Sequence, residues 1–195
     1  MFRFFIPRMI ASPSRARAWP RRRLLLAAAT APAVLSACQS ALVDERFARW
    51  DSAREAVLAL MQGQQVLQHP AWNLPQLLQH LAQSIEFSLQ GYPQARSAVF
   101  RHTVGRAAFA VFDARGQMNH DLAEPIPGAP ALQAELSPRE AVQRLLDAMQ
   151  AFAAHRGLLA PHFAYGVLSK SEYQRAHLMH LANHWSQMQS TQAVA

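Results

Sequence analysis

From residue 44 onward the apolar positions recur at intervals of three and four, the spacing that lines one face of an α-helix. A first pattern, about 44–62, sets Phe47, Trp50, Val57 and Met61 near one face. A second opens at Asn73-Leu74-Pro75, a capping residue followed by Pro in the first turn, and runs from about 74 to 90. Gly91-Tyr92-Pro93 stops it. A third, about 137–155, starts at the capping box Ser137-Pro138-Arg139-Glu140 and repeats Val142, Leu145, Leu146, Met149, Phe152 and Ala153, with Gly157 closing the pattern. The last, about 169–188, begins at a second capping box, Ser169-Lys170-Ser171-Glu172. No segment shows strand alternation, so the pattern predicts an all-α fold, a four-helix bundle. Between the second and third helices, SAVFRHTVGRAAFAVFD has helical capacity, whereas EPIPGAPAL is Pro-rich and predicts an irregular insertion.

The first 37 residues follow a different rule. An arginine cluster, Arg21-Arg22-Arg23, precedes an apolar run from Leu24 and then small residues before Cys38. These are signal-peptide proportions, too short for a membrane span. Arg21-Arg22-Arg23-Leu24-Leu25 looks like a twin-arginine export signal, and Leu35-Ser36-Ala37-Cys38 resembles a bacterial lipobox, whose cysteine is acylated. Cys38 is the one cysteine of the chain, which leaves no disulfide partner. The expected organisation is a cleaved leader over 1–37, with Met1 or Met9 as start, a linker over 38–43 and a helical domain over 44–190. The expected location is the cell envelope on the periplasmic side, anchored to the membrane through lipidated Cys38. Gln39, standing where an aspartate would signal inner-membrane retention in a Gram-negative lipoprotein, favours the outer membrane if the envelope is of that kind.

Charge then changes the picture only by subtraction. The chain carries 19 Lys and Arg against 12 Asp and Glu, a formal +7. Seven of those arginines lie in the leader, which has no acid, so the remainder is neutral. A neutral body lacks the basic footprint of phosphate binding, and nucleic acid is not an expected partner.

The candidate chemistry lies in histidines. YQRAHLMHLANHW puts His177, His180 and His184 along one side of the last helix. Such a row is either a set of metal ligands or a set of hydrogen-bonded core residues. His180 and His184 are one turn apart and can share an ion; His177 and His180 could also pair. A third ligand should come from another helix, and His80 is the best candidate, mid-helix among Leu77, Leu81 and Ser84. His162 in PHFAYG and His120 in MNHDL are loop histidines that could line a pocket, each read first as a surface or second-shell residue, and either His177 or Glu86 is a candidate proton shuttle. Imidazoles suit zinc, nickel and iron alike, so the ion is a divalent transition metal.

WNLPQLLQH followed far downstream by HLANH resembles the DinB-like (YfiT-like) superfamily of metal-binding four-helix bundles. HLAQSIEFSLQGYP, EPIPGAP and PHFAYGVLSKSEY resemble, more narrowly, a bacterial domain-of-unknown-function family (1569) within it. The resemblance implies that His80, His180 and His184 are the metal ligands and leaves open whether His177 is one, with His177 and His162 as candidates for the second shell. It also implies chemistry of the hydrolase or thiol-dependent transferase kind, with no particular substrate. The contrasting expectation is a noncatalytic envelope lipoprotein, a binding or interaction module whose histidines are structural.

Overall fold

The computed structural model describes residues 44–62 and 72–186. The leader, Cys38, the linker and the end of the expected last helix lie outside the described residues. Asp44 begins the described chain by accepting from the Arg46 N–H and capping a short 3-10 turn, Glu45–Phe47. The backbone then extends at Arg49 before α1, Trp50–Ala59. The single helix expected over 44–62 is thus two pieces, and the break lets both Phe47 and Val57 reach the interior.

α2, Leu74–Gln90, starts at a full capping box between Asn73 and Gln76 with Pro75 in the first turn. It ends at Gly91, whose φ of 106° suits only glycine. After Ser97 the chain makes one α-helical turn, Ala98–Phe100, then a π-helical turn, Arg101–Gly105, then α3, Arg106–Arg115. α4, Pro138–Ala154, opens at the Ser137–Glu140 capping box and stops before Gly157, where His155 turns extended. Lys170 Nζ closes that end, donating to the carbonyls of Ala153 at 3.0 Å and His155 at 2.5 Å. α5, Lys170–Trp185, opens at the Ser169–Glu172 capping box. The described residues hold helices and an isolated bridge between His162 and Gly166, with no strand, so the fold is all-helical.

One core takes side chains from α1, α2, α4 and α5: Val57, Leu77, Leu81, Leu145, Met149, Phe152, Tyr173 and Leu181 are all buried within it. α2 and α4 share the most extensive contact, and α5 closes against α2 and α1. α2 is buried on more than its apolar face because the Pro-rich segment straps across it. Gln79 exchanges two bonds with the Gln133 backbone, 2.7 Å to its carbonyl and 3.1 Å from its N–H, and Gln83 donates to the Pro130 carbonyl at 3.0 Å. These side chains give an irregular segment the backbone partners a helix would have supplied. No helix among the described residues is long and apolar enough to cross a membrane.

Candidate functional site

His80 sits midway along α2, and His180 and His184 occupy successive turns of α5, where the two helices face each other. Helical spacing turns the two α5 rings to one side, and the packing of α5 on α2 brings His80 to the same point. His180 Nε2 stands 3.2 Å from His80 Nε2 and 3.0 Å from His184 Nε2. One ligand atom from each of the three lies within 4.8 Å of the other two. Metal–imidazole bonds of about 2.0–2.1 Å, at angles of about 90–109°, hold two nitrogens about 2.9–3.4 Å apart. The observed separations around His180 fall in that range, so the donor set fits a divalent transition ion. Three neutral rings with their Nε2 atoms gathered could satisfy one another with one proton per contact at most; an ion takes all three lone pairs at once.

The surroundings favour a neutral His180 ring. Burial, then the neighbouring His184, His80, His120 and His177, hold the His180 pKa well below the usual imidazole range. Ser84 Oγ is 3.1 Å from His180 Nδ1, a contact that keeps the His180 proton on Nδ1 when the hydroxyl accepts it and leaves Nε2 for the ion. Ser84 lies one turn beyond His80 on α2, a spacing that could have singled it out; in the sequence it reads as a small packing residue. Trp72 packs against two of the three, its ring 4.7 Å from His80 and 6.1 Å from His184.

His80 and His180 open onto a cavity of about 220 Å³, also lined by Phe100, Met118, Ile126 and Phe163. His120 lines it too, with its ring 5.1 Å from His180 and 5.5 Å from His184, spacings close to the 4.7–5.0 Å within the triad. Asn183 Nδ2 bonds His120 Nδ1 at 3.1 Å, and burial lowers the pKa of this ring against the opposing pull of Glu124 and Asp121. His120 is thus half-buried beside the triad; that it could line a pocket was readable from the sequence, its closeness to the triad was not.

His177 and His162 are buried and line the cavity, but their bonds go elsewhere. His177 Nε2 faces Ser88 Oγ at 3.3 Å, and His162 Nδ1 accepts from the backbone of its own turn. Glu86 does not line the cavity. Its carboxylate takes a two-pronged bond from Arg144, 2.9 and 2.8 Å, across the α2–α4 contact, because one and a half turns beyond His80 it points to α4 and away from α5. The proton-shuttle expectation for Glu86 is therefore corrected.

No curated protein and no solved structure matches the chain. A family described as a protein of unknown function (DUF1569) matches residues 40–191, a span that contains the three converging histidines, and the chain belongs to that family.

Proposed function

We propose that the chain is a DinB-like four-helix-bundle metalloprotein in which His80, His180 and His184 hold one divalent transition ion. We further propose that it acts as a metal-dependent hydrolase or transferase. The observation that carries this is the gathering of three buried imidazoles, two of which, His80 and His180, line a cavity. The arrangement of one histidine on α2 and two on α5, with α1, α2, α4 and α5 around one core, supports the DinB-like assignment. A structural metal site is closed by four protein ligands, whereas a catalytic one leaves a position for water or substrate. Three histidines beside a cavity match the second kind. A divalent ion held there supplies Lewis acidity and a lowered pKa for a bound water or thiol. The chain's own part is to fix His180 through Ser84, to wall the site with Phe100, Met118, Ile126 and Phe163, and to present His120 on the cavity side. Cellular placement in this reading is the envelope, with Cys38 acylated and the domain held at a membrane surface; the leader sequence supports it.

Cobalt substitution of protein made without a histidine tag tests the open position. Visible absorption should change when 2-mercaptoethanol or imidazole is added, as a small ligand enters from the cavity. A cobalt spectrum indifferent to both would mean a closed site, and the noncatalytic lipoprotein would stand in place of the enzyme.

A further inference from the structure

Two more buried histidines stand in the cavity wall, and the protein fixes the proton of each in the opposite sense. His162 Nδ1 accepts from the N–H groups of Ala164 and Tyr165, at 3.1 and 3.2 Å, so the neutral ring carries its proton on Nε2. His177 Nε2 is 3.3 Å from Ser88 Oγ, and the Ser88 hydroxyl donates to the Ile85 carbonyl at 2.6 Å. Ser88 therefore accepts from His177 Nε2–H, which leaves His177 Nδ1 with a bare lone pair. The remaining atoms, His162 Nε2 and His177 Nδ1, have no hydrogen-bond partner among the described residues and are not fully buried, and both residues line the cavity. Stacking holds the rings in place: His162 lies 4.3 Å from Tyr165 with planes 8° apart, and His177 lies 5.4 Å from Tyr173 at 25°. Burial pushes both pKa values down to about 3, so both rings are neutral at ordinary pH.

We infer that His162 and His177 form a ligand-recognition pair, one N–H donor and one nitrogen acceptor, that selects an uncharged carboxamide on a small apolar body. An amide brings the carbonyl that His162 needs and the N–H that His177 needs. A carboxylate has acceptors alone and would set lone pairs against His177 Nδ1; an ammonium has donors alone and would face the His162 N–H. The rest of the lining agrees. Phe100, Met118, Ile126 and Phe163 give an apolar wall, and the cavity of about 220 Å³ admits a single-ring body. The charged lining residues Arg96 and Glu124 are more than half exposed and stand 3.9 Å from each other, so neither offers an unbalanced charge to a ligand. This names the ligand class of the site proposed above and rests on that proposal only for which part of the ligand reacts.

The experiment is a calorimetric titration of the metal-free and the zinc-loaded protein with benzamide, benzoate and benzylamine, with zinc uptake measured in parallel. Benzamide should bind about ten-fold or more tighter than either charged analogue in the metal-free form, where no cation in the cavity can draw the carboxylate. His177→Phe, which sits among Trp50, Phe152 and Tyr173, should fold, keep its zinc and lose that preference. Equal binding of benzoate and benzamide by the metal-free unsubstituted protein, absent benzamide binding, or an undiminished preference in folded metal-free His177→Phe each overturn the inference. Should the variant not fold, the ligand series on the unsubstituted protein decides alone. A protein that prefers benzamide yet takes up no zinc sustains this pair and sinks the metal site; zinc uptake without the preference does the reverse.

Discussion

At the scale of single residues, the site is a problem of where each imidazole keeps its proton. His180 is central because its Nε2 faces both other rings while its Nδ1 meets Ser84. Ser84→Ala removes the group that orients this ring, and metal affinity should fall about 10–100-fold with the helix content unchanged; competition against a chelator of known affinity measures it, and an unaltered constant would exclude Ser84 from the site. His177 carries a second prediction. Its pKa is about 3 in the folded chain and about 6.5 when unfolded. Between those values the unfolded chain binds the proton first, so stability is full above about pH 6.5 and is lost as pH falls towards 3. In metal-free His177→Phe, urea midpoints taken from pH 7 to 4 should fall less steeply than in the unsubstituted protein; parallel slopes would contradict it. Residue spacing made part of this site legible. His180 and His184 announce themselves by one helical turn, and His80 by being polar on an apolar face. Ser84 did not, since a lone serine reads as packing; His120 could be read as a pocket residue but not set beside the triad, since a loop histidine's position depends on how the 116–137 connection runs over α2.

At the scale of elements, the helix starts were the most legible feature because each is written in local chemistry. Asn73, Ser137 and Ser169 each accept from a backbone N–H three residues on, and the residue there returns a bond. The break at Ala48 and Arg49 was not legible, since Phe47, Trp50 and Val57 keep a spacing compatible with one continuous helix. Nor was the π-helical turn at Arg101–Gly105, which needs a neighbour to explain it. That neighbour is the 162–166 turn: a Cβ on Gly105 would overlap the carbonyl oxygen of Ala164. Gly105→Ala should consequently push this turn away, costing about 1–3 kcal/mol of stability and loosening the cavity wall that holds His162, Phe163 and Tyr165. Chemical denaturation reads the cost, and a variant as stable as the original would show that the two segments do not press on each other in solution.

At the scale of the whole molecule, the described helical region and the leader call for separate tests. The apolar run before Cys38 and the small residues beside it predict that Cys38→Ser releases the protein from the membrane fraction, as no helix among the described residues could anchor it. Retention after a carbonate wash would remove the lipobox from the account. The all-helical architecture was legible because one periodicity runs through most of the chain. The strap over α2 was not, because Gln79 and Gln83 look solvent-facing until the Pro-rich segment is laid across them. The central claim, that these packed helices exist to hold one metal ion, has its most direct test in the metal content of tag-free protein and of four alanine variants. The account predicts close to one divalent ion per chain in the unsubstituted protein, loss of most of it in His80→Ala, His180→Ala and His184→Ala with the helical spectrum intact, and near-full content in His177→Ala. A stable, fully helical protein that binds no stoichiometric ion, or one whose ion survives all three triad substitutions, would contradict it.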